Sequence, residues 1–590
     1  MISRPIVAKL IFPNIKNLGL TNFFKSSSSL ILVKFEREKQ ILNYASKILN
    51  FQFYFYSKHL IKFKEKKVQW SKNPFNDLSY NQKKHWSEIN DFSSEFGDIK
   101  NIWELSRFNW IGNLALAYRI TKHKKYLNHI NLLLEDWMRS NPPYVGINWK
   151  CGQESSIRTI NLILATEILF EINFKKDLIK LLKIHLNRIY PTYFYARSQD
   201  NNHGLSEAIS IYLTANILWK NSGKNKFLKI SKKGKSYIED RVKNLILPDG
   251  SFSQYSVNYH RMVLDLLSIT ELLRARLKLK PFSDQFSSRV ISAIKWFTLI
   301  IDPLTGRGPN FGGNDGTYLF NFDMKEYSDL RPTLSLATAI FKRESYDNFK
   351  SNHCLIELFD IKHKIKKTIK SENIYSKDGG LIKLVRKHGT AFLRVPKFKF
   401  RPSHSDVMHL DIWQNGINWI KDSGSYSYAL NSIDLDKYSG TEGHSTVQFD
   451  KKNQMPRLRR FLFGDWINLD YVRFDRSRVF ACAAYHNKLK HIHQRKILKI
   501  NGGWKIIDTV NGKFKKCTIR WILNVGNWTL DQNILFTDGL RLEANSDLNM
   551  SFKLKEKGES IYYMEKSNTP CLEIDVEHPG VIETKLFFDK

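Results

Sequence analysis

Five stretches of the chain carry side chains able to neutralise a negative charge or move a proton. In GINWKCGQESSIRTINLILA (146–165), Glu154 and Arg158 stand four apart, so a helix brings them to one face. The same spacing also makes an ordinary intrahelical ion pair. Trp149, just ahead of that helix, has a ring that can stack on a sugar or fill a core. In RSQDNNHGLSEA (197–208), Asn201, Asn202 and His203 precede an apolar helix. Amide and imidazole donors at the positive end of a helix suit a carboxylate, and Asn there is equally a routine helix cap.

In PDGSFSQYSVNYHRM (248–262), Tyr255, Tyr259 and His260 follow a Pro-Asp-Gly turn. A tyrosine serves as acid or base when its surroundings tune the phenol, although most tyrosines only pack. The loop GPNFGGNDGTYLF (308–320) is rich in glycine. It lacks the spacing of a dinucleotide or Walker motif, which argues against a nucleotide site. The fifth stretch, RPSHSDVMHLDIWQNGINWIKDSGSYSY (401–428) with GTEGHSTVQFD (440–450), supplies His404, Asp406, Asp422 and His444. On a strand His404 and Asp406 point the same way. One can then face substrate while its neighbour binds a metal or orients it. A polar sandwich edge held by hydrogen bonds is the plainer account.

Helices must position the first four stretches. Residues 85–345 hold NWIGNLALAYRI (109–120), YLNHINLLLEDWM (126–138), SSIRTINLILATEILFEI (155–172) and LSEAISIYLTANILW (205–219), all with apolar residues at three-and-four spacing. Short polar connectors separate them, as helical hairpins require. Near residue 375 the texture changes: GGLIKLVRKHGTAFLRV (379–395), KILKINGGWKIIDTVNG (496–512) and CTIRWILNV (517–525) alternate apolar and polar residues between Gly and Asn turns. That is the pattern of antiparallel hairpins. Residues 346–375 read as a Lys-rich linker, 37–51 as a helix, and the rest of the first 80 stay unassigned.

Lys and Arg number 93 against 57 acidic residues, a net charge of +36. Such a field attracts polyanions: acidic polysaccharide, nucleic acid or anionic membrane. The abundance of Lys, Asn, Ile and Phe is also what an AT-rich genome produces whatever the function. The five cysteines are scattered and never form CxxC, against a disulfide scaffold or zinc ribbon. No apolar run approaches the roughly 20 residues of a membrane span.

Taken in order, NIWELSRFNW, the Trp-Glu-Arg helix, Asn-Asn-His, the DGSF…YH run, GPNFGGNDG, HSD…DSGSYSY and GHSTVQFD resemble the heparinase II/III-like and related alginate lyase proteins, over roughly residues 70–510. The resemblance implies an α+β multidomain fold. After an N-terminal extension (1–80) comes an incomplete (α/α) helical toroid (81–345), then the linker and a C-terminal antiparallel β-sandwich (376–590). It also implies β-elimination beside a uronic acid in an acidic polysaccharide. Neutralising the carboxylate lets it take up the charge that develops when the C5 proton leaves. A base removes that proton and an acid protonates the leaving oxygen.

By resemblance, Asn202 neutralises the carboxylate and His203 supports it or acts as base. Tyr259 is the acid, and in some members also the base, while His404 is the base contributed by the β-half. Trp149, Glu154, Arg158, Tyr255 and His260 shape or bind along the cleft. Asp406, Asp422 and His444 hold a structural divalent metal, zinc or calcium, and the chemistry requires no cofactor. Tyr255 lies close enough to Tyr259 to leave the tyrosine assignment open, and Tyr426 or Tyr428 would be the second tyrosine of alginate-type members. One departure is GHST at 443–446 where many relatives show His-Asn-Thr.

Other function classes compete. A non-catalytic glycan-binding or surface-polysaccharide biosynthesis accessory protein would keep the fold without turnover. A nucleic-acid partner is not expected, because no helix-turn-helix, RRM, KH or zinc-finger signature occurs. A hydrolase would need two carboxylates across a cleft. The resemblance suggests the periplasm or cell envelope. The basic N-terminus, broken by Pro5 and Pro13, shows no clean signal peptide, so the cytoplasm stays open.

Overall fold

The computed structural model describes residues 5–13, 19–25, 34–80, 82–90, 96–170, 174–349, 351 and 353–589. Four helices are buried on nearly every face: Asn109–Thr121, Gly152–Ile168, Asn202–Ser222 and Val257–Arg276. Each is followed by a helix that buries a single stripe: Lys125–Ser140, Lys176–Ile189, Asn225–Leu245 and Asp284–Ile300. A helix apolar all round belongs inside and a striped one outside. Alternate helices therefore form an inner and an outer ring, the (α/α) toroid. Successive helices run antiparallel, so the N-termini of the inner ring gather at one end. Gln153, Asn202 and Tyr259 all sit in those first turns.

From Ile374 onward every ladder between strands is antiparallel. A five-stranded sheet runs in chain order from Ile374–Ser376 to Ile417–Ile420. In the eight-stranded sheet the last strand, Gly580–Phe588, inserts between Gly503–Asn511 and Leu540–Asn545. One apolar core joins these sheets, with Ile382, Leu410, Ile497, Trp504 and Leu586 among its members. This is the β-sandwich.

Two stretches carry more structure than their sequence suggests. In the first 80 residues, the helix Glu38–Leu49 and the hairpin Gln52–Phe55/His59–Lys62 pack Ile41, Phe53 and Phe55 into the helical core. Residues 1–4, 14–18 and 26–33 of that stretch lie outside the described ones. The expected linker holds a helix, Cys354–Leu358, and its ends pair in parallel as Glu344–Tyr346 with Lys364–Lys366. The helix anticipated over 155–172 ends at Ile168, and residues 171 and 172 lie outside the described ones. Among the described residues no helix is long and apolar enough to cross a membrane.

Candidate active site

Asn201 caps the inner helix by accepting from His203 N at 3.0 Å. That cap places Asn202 and His203 in the first turn of the helix. Asn202 Nδ2 donates to Gln153 Oε1 at 2.7 Å and lies 3.4 Å from Met262 Sδ, one turn beyond Tyr259. Its backbone N–H donates to Gln254 Oε1 at 3.0 Å. The amide is thus fixed from two neighbouring helices. The half-buried His203 ring has no hydrogen-bond partner among the described residues. Desolvation holds its imidazole below the ordinary value, against the pull of Glu207, Glu154 and Asp315. One turn on, Glu207 is buried with Oε2 unpaired. Burial pushes its carboxyl up to about 8, opposed by His203.

Tyr259 presents its hydroxyl to one partner, Tyr428 Oη, 3.2 Å away and contributed by the β-half. Burial, with the Asp315 carboxylate nearby, holds both phenols well above their ordinary value. Both are therefore neutral donors at physiological pH. Beneath them Lys100 Nζ reaches Asp315 at 2.5 Å and lies 5.2 Å from the Tyr428 ring centre. Asp315 belongs to the glycine-rich loop and also accepts from Asn258 Nδ2 at 3.0 Å. Gly313 in that loop explains one of its glycines: a Cβ there would meet Tyr428 Oη at 2.8 Å and Tyr259 Cε2 at 3.4 Å. Tyr426 points elsewhere, stacking on Tyr438 with centroids 5.7 Å apart. Of the two tyrosines left open above, Tyr428 is the one at Tyr259.

In the β-half, His404, Asp422 and His444 are fully buried and offer ligand atoms within 4.8 Å of one another. His444 Nδ1 is 2.9 Å from Asp422 Oδ2, and His444 Nε2 and His404 Nδ1 are buried without partners among the described residues. A third unpaired nitrogen, His409 Nε2, lies 3.9 Å from the same Asp422 oxygen. Orphaned buried nitrogens around a carboxylate fit a bound cation. A set dominated by imidazole suits zinc, since calcium prefers six to eight oxygens. This grouping revises the anticipated one. Asp406 leaves the ligand set, because Arg394 Nε holds its Oδ2 at 3.1 Å. His404 enters it, with its Nε2 3.3 Å from Ser425 Oγ. A second cluster, Asp323, His353 and Cys354, is already committed. Asp323 accepts from Cys354 N at 3.0 Å and His353 Nδ1 from Leu355 N at 3.2 Å, so together they cap a short helix.

Several residues anticipated along the cleft lie elsewhere. Trp149 is 0% exposed, packed between Trp137, Tyr144 and His185 with Nε1 donating to Asn141 O. It fills core and has no face left for a sugar. His260 is likewise buried, stacked on Trp296 and Phe297 with Nε2 3.0 Å from Ala293 O. Glu154 and Arg158 take other partners. Glu154 makes a two-pronged pair with Arg107 at 2.7 and 2.9 Å, and Arg107 also donates to Thr317 at the end of the glycine-rich loop. Arg158 donates to Asn148 O and His185 Nε2 and lies over Trp137 and Trp149. Tyr255 joins the two halves: its Oη accepts from Lys399 N at 2.9 Å and Phe400 N at 3.2 Å.

Tyr259 and Tyr428 thus meet directly, and Asn202, with His203 next to it, reaches the helix of Tyr259 through Met262. His404 meets Ser425 Oγ, which also accepts from Asn314 N at 3.0 Å, the residue after Gly313 in the glycine-rich loop. Gln153, Lys100, Asp315 and His409 complete the surroundings. No motif announces Lys100, while Gln153, Asp315 and His409 lie inside quoted stretches that singled out other residues.

Two family profiles match the chain: heparinase II/III N-terminus over residues 18–325, and heparinase II/III-like, C-terminal, over residues 370–573. No curated protein matches it by sequence. Among solved structures it is similar to a heparinase III, with 14% identity and a TM-score of 0.68 over 99% of this chain and 89% of that one. A heparan sulfate lyase from Pedobacter heparinus has 18% identity and a TM-score of 0.54, covering 97% of this chain and 86% of its own. The chondroitin AC lyase of Streptomyces coelicolor A3, in complex with chondroitin sulphate, has 10% identity and a TM-score of 0.54, covering 83% and 75%. At such identities the likeness is one of fold.

Proposed function

The chain belongs to the heparinase II/III family of polysaccharide lyases, and on that footing we propose that it cleaves a uronate-containing acidic polysaccharide by β-elimination. The observation that carries this reading is the meeting of Tyr259 and Tyr428 hydroxyls beside the helix turn bearing Asn202 and His203. Asn202 Nδ2 donates to the uronate carboxylate, stabilising the charge as it moves off C5. Gln153, already bonded to that amide, keeps it aimed. His203, neutral and with a free ring, accepts the C5 proton. The electron pair of that bond becomes the C4–C5 double bond, and the bond from C4 to the glycosidic oxygen breaks. Tyr259 gives its phenolic proton to the departing oxygen and takes a replacement from Tyr428, which is reprotonated from solvent as His203 releases the C5 proton to solvent after the product leaves.

His404 is not given the base here, because its place with Asp422 and His444 suits metal binding better. Zinc bound by His404, Asp422 and His444 would supply structural charge, fixing the loop that carries Ser425 and Tyr428. Since similar folds act on heparan sulfate and chondroitin sulphate, glycosaminoglycans are the first substrates to try, with alginate beside them. The test is a screen of these polymers read at the ultraviolet absorbance of an unsaturated uronate, with Asn202→Ala run in parallel. Absorbance growing with the wild type and absent with the variant is the expected result. Saturated reducing ends without the absorbance would identify a hydrolase and overturn the proposal.

A further inference from the structure

Apart from a bridge between Gly424 and Ser560, the stretch 423–428 that carries Tyr428 belongs to no helix or ladder among the described residues. Within it Tyr426 has a φ of +50°, a conformation that persists for a residue with a side chain only where neighbours impose it. The neighbour here is a second loop of the β-half, residues 560–564, between the strands Ser551–Glu559 and Ser567–Val576. Ser560 N donates to Ser423 O at 2.8 Å and Met564 N to Tyr426 O at 2.9 Å. Between these two contacts Tyr563 Oη accepts from Tyr428 N at 2.8 Å.

Tyr563 is seated in the toroid as well. Its hydroxyl donates to Asp98 Oδ2, and Asp98 is itself fixed by accepting from Lys100 N at 2.9 Å where the helix Lys100–Ser106 begins. The backbone carbonyl of Tyr563 lies 2.8 Å from His59 Nε2. Its ring is buried edge-on to Tyr56 and Tyr428, with centroids 5.0 and 5.6 Å away, and the Lys100 ammonium stands 4.9 Å above it. Burial, with Asp98 beside it, holds the phenol well above its ordinary value, so it stays a neutral donor. Tyr428 is gripped from its other side by the hairpin Arg457–Arg459/Leu462–Phe463. Arg460 donates to Tyr428 O, and to Leu430 O at 2.9 Å, while the Phe461 ring stands edge-on to Tyr428 at 5.1 Å. Those grips come from the β-half. Tyr563 instead ties the Tyr428 backbone to the half that holds Tyr259.

We infer that Tyr563 is a positioning residue for Tyr428, and that through Asp98 its hydroxyl sets the Tyr428 phenol in register with Tyr259. It gives no proton to the glycan and acts only through where it holds Tyr428. The inference rests on the proton relay proposed above for Tyr259 and Tyr428, and one arm of its test does not depend on turnover.

Tyr563→Phe keeps the ring and deletes the hydroxyl. Expected in the full-length chain is a fall in kcat of about three- to tenfold with KM within about twofold, because a misplaced relay group costs rate and not binding. In a Tyr428→Phe background the same substitution should cost less than about twofold, since the group it positions is gone. Asp98→Asn removes the charged acceptor and leaves Tyr563 in place. It should repeat the pattern at smaller size, and it carries the test if Tyr563→Phe does not fold. The control is Tyr562→Phe, which deletes a hydroxyl of the same loop that donates to Glu326 of the toroid, and it should keep the wild-type rate. Hydrogen exchange is read alongside by mass spectrometry of peptides ending on either side of residue 428. The Tyr428 amide should exchange at least about tenfold faster in Tyr563→Phe than in wild type. Equal losses of kcat in the two backgrounds, a loss as large in Tyr562→Phe, or an amide no faster than in wild type would each overturn the inference. A faster Tyr428 amide with no unsaturated product from any polymer would remove the lyase reading alone and leave Tyr563 as the residue that places Tyr428.

Discussion

The hydroxyl oxygens of Tyr259 and Tyr428, 169 positions apart in the chain, lie 3.2 Å from each other across the seam between toroid and sandwich. Each is the product of a different half of the fold, so the pair exists only when the halves are docked. Two neutral phenols in contact make a short proton path: the inner one gives a proton and the outer one replaces it. Burial, with Asp315 adding to it, raises both phenols, which suits donors and disfavours a resting phenolate.

Tyr259→Phe removes the proton donor and should lower kcat by about a hundred- to ten-thousand-fold. Tyr428→Phe leaves Tyr259 in place and should cost less, about tenfold, with the acid limb of the pH profile unchanged. Initial rates at the unsaturated-uronate absorbance check both. Equal losses in the two variants would show that Tyr428 contacts the reacting atoms directly.

Asn202→Ala should lower kcat by about a hundred- to a thousand-fold while KM changes little, because the amide matters most when charge develops. Gln153→Ala, which frees that amide without deleting it, should cost about tenfold. Asn202→Asp should be as damaging as Ala, since it sets a carboxylate against a carboxylate. A Gln153 variant with wild-type kcat would remove the positioning role.

How much of this arrangement a reader of the sequence can recover depends on the range of each interaction. The two helical rings follow from local periodicity. Asn202 and Tyr259 stand in marked turns at helix starts, where capping residues and a Pro-Asp-Gly turn draw notice. Lys100 and Asp315 are 215 positions apart and meet only in three dimensions. Glu154 and Arg158 have the right spacing for each other, yet tertiary partners win: a bidentate arginine outcompetes an i,i+4 contact when both are buried. Trp149 shows the limit from the other side. Its type and position suit a sugar platform, and only its neighbours reveal that both faces are covered.

The pH dependence has two separate origins. His203 has its imidazole held low, so it stays neutral and able to accept a proton down through mildly acidic pH; kcat/KM should be flat from about pH 7 to 9 and fall on the acid side only below the ordinary histidine value. Glu207 governs stability. Its folded pKa is raised from 4.5 to about 8, so the stability it lends is complete below the unfolded value and is lost as pH rises through that window. Glu207→Gln should therefore stabilise the protein near pH 8 relative to wild type by on the order of a few kcal/mol, and much less near pH 4. Denaturant titrations at the two pH values check it; a pH-independent difference would place the effect outside Glu207 ionisation.

The His404, Asp422 and His444 cluster should bind one zinc per chain, measured by elemental analysis of purified protein. His444→Ala should lose it and lower the thermal midpoint. Chelation of the wild type should lower the midpoint as well, with zinc restoring it and calcium failing to, given the imidazole donors. Asp406→Asn should keep the metal, because its carboxylate is committed to Arg394. Retention of zinc by His404→Ala together with loss in Asp406→Asn would reverse the grouping.

Trp149 separates packing from binding. The side chain is enclosed by Trp137, Tyr144 and His185 and lies under Arg158, so truncation opens a cavity and strips a cation of its aromatic face. Trp149→Ala should cost about 3–5 kcal/mol of stability, and Trp149→Phe less. The surviving folded Phe variant should show wild-type KM on the same polymer, since no sugar reaches the ring. A raised KM with an unchanged thermal midpoint would mean the opposite: that the ring touches substrate in a conformation where Tyr144 has moved aside.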